Sequence, residues 1–451
     1  MRVPRQAAGA FLALAFAGAA AMQLQPAPGA KVTTLTPTPG YFSEPSVAVN
    51  QRNPRQIVAA FQVPATVAYS EDEGQTWTTA SAAPKEYKVS GDVSITYDPR
   101  GAAVLCFIAF DKLGTNNYWA HGATRNGIFI RRSLNGGKTW EAEAIPVIQH
   151  ATQPGIPFED KPYIVADNTN GAYSGHLYVG WTQFTLEKSV ILFSRSLDGG
   201  KSWSPPLEIS THEGLPRDDN GAVEGFTGAV GPDGTLYAIW ADGNSIAYTE
   251  SRDGGKTFAH SRKILDTAPS YFNVEDVSRS NGFPQIGLDP RGGKRGGPLY
   301  VTWSDFRNGD VDVFCAVSTD HGKKWSRAVR VNDDPIHDGN DQFFQWLAVD
   351  PQDGAANVLF YDRRNDSGNV KTTVTLARSA DGGKTFNNYA WTSDPFRSRD
   401  DFIGDYTGIA AFHGRVYGVW TEKPENAAQN GPEKPQTEKR RTLVRVGVAQ
   451  F

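Results

Sequence analysis

The sequence predicts an all-β fold, a β-propeller of seven four-stranded blades, and three observations carry that expectation. The 451 residues include 46 Gly, 28 Pro and 11 Trp, a composition of many short strands and tight turns. An octapeptide recurs along the chain at intervals of roughly 60 residues, the signature of a repeat architecture. An apolar segment precedes every copy and occurs once more after the last.

Taken in order, the chain opens with Arg2 and Arg5, an apolar run from Ala7 to Ala20 and small residues at Ala19-Ala20-Ala21. This reads as a signal peptide over residues 1–21, too short to span a bilayer, and makes the protein secreted or periplasmic. Residues 22–30 are then expected as a flexible lead-in, and 31–451 as a single propeller domain. No later apolar run is long enough for a membrane span. With 45 Lys and Arg against 49 Asp and Glu, net charge −4, no basic stripe suggests nucleic acid. Cys106 and Cys315 lie in apolar strands of different repeats and are expected as buried free thiols.

The octapeptide occupies Ser70–Trp77, Ser133–Trp140, Ser196–Trp203, Ser251–Phe258, Ser318–Trp325 and Ser379–Phe386. Asp or Asn caps its own turn, Gly supplies positive φ, hydroxyls bond locally, and the final aromatic plugs the hairpin. The preceding segments, 44–50, 92–98, 161–167, 227–233, 283–289 and 344–350, are nearly continuously apolar, as strands covered on both faces are. They read as the innermost strand of each blade. A second strand follows, as in Leu177–Trp181, Leu236–Trp240 and Leu299–Trp303. After the sixth octapeptide the pattern restarts over 405–411, 416–420 and 442–448 with no hairpin. Those are three strands of a seventh blade, and Lys31–Leu35 supplies the fourth, closing the ring and hiding its edges. The alternative is six blades with the 405–448 region as an appendage.

Function is expected on the rim at the start of the inner strands, where connections are long and ionic: Glu159-Asp160-Lys161, Asp218 through Glu224, Glu275-Asp276 with Arg279, and Arg397 through Asp405-Tyr406. Such a pocket suits a carbohydrate, since paired carboxylates can act as acid and base, Arg can clamp anionic groups and aromatic faces can stack on sugar rings. Asp160, Asp405 and Tyr406 are the candidate catalytic residues, with Asp160 and Asp405 meeting across the cavity. Glu44, Lys161, Arg307, Asp362, Arg363 and Trp346 are candidates for substrate binding. The competing reading of Asp305-x-Arg307 and Asp362-Arg363-Arg364 is that they knit neighbouring blades. Acidic loops can supply oxygen ligands to Ca²⁺, but no spacing identifies a metal site and no cofactor is expected. The expected partner is a glycan or glycoconjugate; the oligomeric state is left open.

The octapeptide resembles the Asp box, or bacterial neuraminidase repeat, of sialidase-like propellers, and the resemblance extends over most of 31–451. It implies a glycoside hydrolase, with a non-catalytic glycan- or protein-binding propeller and a true exo-sialidase as alternatives. Sialidases have six blades, three Arg around the substrate carboxylate, a Tyr nucleophile helped by a Glu, and an Asp acid/base. The first of those Arg stands in an aromatic-Arg-x-Pro motif, where this chain reads Phe42-Ser43-Glu44-Pro45, with Ser43 in place of the Arg. The resemblance therefore implies a specificity other than sialic acid. It also places Tyr406 where the nucleophile falls, and Arg307, Arg363 or Arg397 as other cations.

Overall fold

The structure is a computed structural model that describes residues 23–111, 125–151, 157–269, 271–399, 402–424 and 441–451. The expected signal peptide lies outside the described residues. Strands assemble into seven four-stranded antiparallel sheets with no helix among the described residues. The fold is a seven-bladed β-propeller, and the six-bladed alternative is excluded. The inner strands are Ser43–Val49, Val89–Tyr97, Phe158–Ala166, Val223–Val230, Gln285–Leu288, Gln342–Val349 and Gly408–Phe412. From each, the blade runs outward in chain order.

Blade 7 departs from this rule as anticipated. Its outermost strand is Lys31–Thr34, paired antiparallel with Leu443–Gln450, Lys31 opposite Val448. The first and last strands of the ring thus share one sheet.

Alternation along the second strands decides what each blade buries. Tyr178 packs toward blade 4 while Val179 and Trp181 pack toward blade 3's other neighbour, blade 2. Repeated around the ring, this gives seven apolar clusters, one at every interface between blades. Trp181, Trp240, Trp303 and Trp420 are among the largest fully buried side chains. Cys106 and Cys315 are buried free thiols inside two of these clusters.

The six octapeptides form one hairpin geometry. In the first, Ser70 Oγ donates to Asp72 Oδ1 (2.8 Å) and accepts from Gly74 N (2.9 Å), and Asp72 accepts from the backbone of Gln75 and Thr76. The serine bonds recur at Ser133, Ser196, Ser251, Ser318 and Ser379. Each closing aromatic leans on the preceding blade: Trp140 joins the blade 1–2 cluster, Trp203 the 2–3 cluster, Phe258 the 3–4 cluster.

Blade 7 lacks a hairpin, and two other features cover its interface with blade 6. Phe451, directly after the third strand, packs against Tyr389 with ring centroids 5.3 Å apart. The lead-in expected to be flexible is hydrogen-bonded instead: Ala27 N to Ala390 O, Ala390 N to Gln25 O, and Gln450 N to Pro28 O. Ala27 is buried in the same cluster. These bonds satisfy an outer sheet edge that the missing hairpin leaves uncovered.

Candidate functional site at the axial end of the inner strands

Five inner strands slip register against their second strand near its far end, between Ser43 and Ser46, Gly91 and Ser94, Asp160 and Tyr163, Glu224 and Thr227, and Phe343 and Trp346. Each slip is a β-bulge whose extra residue has positive φ: Glu44 (51°), Asp92 (45°), Lys161 (47°), Gly225 (79°) and Phe344 (52°). Four of the five are not glycine, in a conformation that costs a side-chain-bearing residue of the order of 1 kcal/mol or more. Bulges re-aim side chains, and backbone strain gathers at functional sites. Here they turn Glu44, Asp92, Asp160 and Lys161 into one cavity of about 480 Å³ on the propeller axis. The hairpins lie at the opposite end of the blades, because Ser70 pairs with Ile57 while Ser43 pairs with Gln62 at the other end of that second strand.

The cavity holds two groups of acids. In the first, the Lys161 N–H donates to both Asp160 Oδ1 (3.0 Å) and Asp92 Oδ2 (3.2 Å), so these two carboxyls are adjacent. Gln62 ties Glu44 to them, its amide donating to the Glu44 carboxylate and its carbonyl accepting from Asp92 N at 2.7 Å. In the second group, the Tyr271 hydroxyl donates to Asp218 and to Glu224 Oε2 (3.2 Å). Arg279 grips Asp405 through Nε (2.9 Å) and Nη2, and donates to Asp218 through Nη1.

Electrostatics separate these groups. Burial, then Asp92 and Asp218, push the Asp160 carboxyl well above the ordinary range. Burial does the same to Glu44, reinforced by Asp92 and Asp405, and to Glu224, reinforced by Asp218. Burial also raises Asp405, against the pull of Arg279. Burial would lower Arg279, but Asp218 and Asp405 outweigh it and hold the guanidinium well above its usual value. The cavity therefore raises the proton affinity of Asp160, Glu44 and Glu224 beside a fixed cation.

Of the expected site residues, the fold brings together Asp160, Asp405, Tyr406, Glu44 and Lys161. Asp405 is held by Arg279, and the acids that raise Asp160 most are Asp92 and Asp218. Tyr406 lies under Lys161, whose Nζ is 3.9 Å from the ring centroid, and its hydroxyl faces Val93 O at 3.5 Å. Tyr271, not Tyr406, is the tyrosine that binds the carboxyls of this site. Trp346 sits below the floor, 5.3 Å from the Tyr406 ring centroid, lining a small void on the axis.

Arg307, Asp362 and Arg363 do not line this cavity. Arg307 binds Asp305 and covers Phe314 at 4.6 Å. Asp362 is fully buried, accepting from Arg364 Nε (2.7 Å) and Thr375 Oγ1 (2.7 Å). Arg363, 1 % exposed, donates to Thr372 Oγ1 and stacks on Phe343. The physical reason is radial position: all three follow second strands, one strand spacing farther from the axis, where side chains turn into the interfaces between blades. Among the described residues no group of three or more His, Cys, Asp or Glu is placed to hold a metal ion.

Asp218, Glu224 and Arg279 lie in rim connections expected to carry function but were not among the candidate catalytic or binding residues, and neither were Asp92 and Tyr271. Asp92 had a signal, since it aligns with Glu44 and Lys161 in the inner-strand repeat. Tyr271 and Arg279 lie in the connection between blades 4 and 5, which follows no repeat.

A seven-bladed propeller with an acidic axial pocket is the class that fold and site define. No family model matches the sequence, and no curated protein matches it. Among solved structures, a protein of unknown function from Dyadobacter fermentans is similar over 94 % of this chain and 100 % of its own, at 12 % identity and a TM-score of 0.51. The endosialidase of phage phi92 is similar over 94 % of this chain and 69 % of its own, at 11 % identity and a TM-score of 0.52. At these identities the likeness is one of fold.

Proposed function

We propose that the protein is an exported, carbohydrate-active propeller, a glycoside hydrolase whose specificity is not for sialic acid. The observation that carries this reading is the placement, around one cavity, of the adjacent Asp92 and Asp160 carboxyls and a separate set of acids bound by Arg279 and Tyr271. Glycosidic cleavage needs one acid to protonate the leaving oxygen and a second group to attack or activate water. Asp160, whose proton affinity is raised by burial and by Asp92, supplies the first. Asp218 and Tyr271 supply the second, Asp218 being placed to take the Tyr271 proton. A clamp for a substrate carboxylate is missing: Ser43 stands where the resemblance calls for Arg, and Arg279 is already shared between Asp218 and Asp405. The hairpins, with the geometry expected of an Asp box, add stability at the far face.

The test is to screen the purified protein on a glycan panel for binding and for release of reducing sugar, then repeat with Asp160→Asn and Tyr271→Phe. Turnover lost with binding retained supports a hydrolase. Binding without turnover in the wild type favours the non-catalytic alternative, and robust release of sialic acid overturns the specificity.

A further inference from the structure

Lys161 is the cation of the cavity that no acid has claimed. The residue is 9 % exposed, and its backbone N–H serves Asp92 and Asp160. Its ammonium has neither an ion pair nor a hydrogen-bond acceptor among the described residues. It lies instead over three rings, 3.9 Å from the centroid of Tyr406, 4.7 Å from Phe283 and 5.9 Å from Trp346. Aromatic faces attract a cation but accept none of its three N–H bonds well. An ammonium without an acceptor gains from a ligand that supplies one, and this one lines the axial cavity.

Resting on the reading of the pocket as a sugar site, we propose that the Lys161 ammonium anchors the ligand, an uncharged polyhydroxylated sugar, by donating to one of its hydroxyls. Charge selects this class from both sides. An anionic sugar would face Glu44, Asp92, Asp160, Asp218, Glu224 and Asp405 with Arg279 already spent. A cationic sugar would bring its charge against the Lys161 ammonium and the Arg279 guanidinium, both in the cavity lining. A neutral sugar can accept from Lys161 and donate to the carboxylates, while its C–H face lies on the apolar wall of Val89, Ile108 and Phe110.

Calorimetric titration of the wild type with neutral, anionic and amino sugars, and with the monodeoxy series of the best binder, tests this. Neutral sugars should bind best. Removal of one particular hydroxyl should weaken binding about 10- to 100-fold, the worth of a hydrogen bond to a charged group. Lys161→Met should lose the same factor and become indifferent to that deoxygenation. An anionic or amino sugar as best ligand overturns the neutral class. Sugar binding that no deoxygenation weakens, or that Lys161→Met leaves unchanged, overturns the anchor while the sugar reading stands. No glycan binding at all overturns both. If Lys161→Met does not fold, the deoxy series on the wild type decides alone.

Discussion

At position 161 a single backbone N–H, held in a left-handed conformation, serves two carboxyls at once. That sharing fixes Asp92 and Asp160 side by side, and the Asp92 charge helps burial raise the Asp160 carboxyl. If Asp160 is the general acid, Asp160→Asn should lower kcat about 10²- to 10⁴-fold with little change in sugar affinity. The wild-type rate should fall as pH rises through the raised pKa of Asp160. Steady-state kinetics across pH, alongside titration of binding, check this. Glu224 gives a stability prediction of opposite flavour. Its carboxyl is raised from 4.5 by burial and by Asp218, so the folded state favours the protonated form. Stability is then fully present below the unfolded value and is lost as pH rises toward the folded one. Glu224→Gln keeps an acceptor for Tyr271 and removes that loss, so its urea midpoint should exceed wild type at pH 7 and match it at pH 4. These acids show where sequence reading stops. Lys161 and Glu44 were legible because the repeat places them at strand starts, and Asp160 because it stands beside Lys161 where the repeat does not demand an acid. Arg279 and Asp405 are 126 residues apart, and no local pattern announces their pairing. The bulges that aim the whole set are equally silent, since Glu, Lys and Phe are not residues that advertise positive φ.

Among elements, the hairpins were the most legible because the chemistry that shapes the turn is local: the Ser and Asp bonds that cap it fall within eight residues of sequence. Ser196 is buried, donates to Asp198 and accepts from Gly200 N at 2.8 Å. Ser196→Ala leaves that N–H unpartnered and should cost about 1–3 kcal/mol, read from chemical denaturation, with ligand preference unchanged. The hairpin aspartates act in the acid range. Hydrogen bonds from Thr76 lead in lowering Asp72 from 3.8 to about 2, and from Thr385 in lowering Asp381 to about 2. Their contribution is present above pH 3.8 and lost as pH falls toward 2. Far-face stability should therefore weaken below about pH 4, whereas the raised Asp160, Glu44 and Glu224 carboxyls lose no stability as pH falls. What the sequence pattern did not disclose is that each closing aromatic packs on the preceding blade, a relation between repeats that the period alone does not encode.

For the whole molecule, ring closure rests on the 31–34 strand and the lead-in before it. Removing residues 23–35 should lower Tm more than any single hairpin substitution, and amides of Leu443–Gln450 should lose exchange protection first. A synthetic peptide spanning residues 25–36, added in excess, should restore part of both. The blade count and this closure were legible because seven strand starts followed by six hairpins leave one strand to find. The role of Phe451 was not, since one terminal aromatic carries no pattern.

That closure also sets an order of events in time. Val444 N bonds Thr36 Oγ1 at 2.9 Å across 408 residues of sequence, whereas the contacts within blades 1 to 6 are between near neighbours. During synthesis the strand that finishes the ring is among the first to be made and among the last to find its place. Until residues 443–450 emerge, blade 1 and the unfinished seventh blade expose the apolar faces that they later press together. Blades 1 to 6 can stack as they are made, bringing Glu44, Asp92 and Asp160 together, and Asp405, at the start of blade 7, joins the axial pocket last.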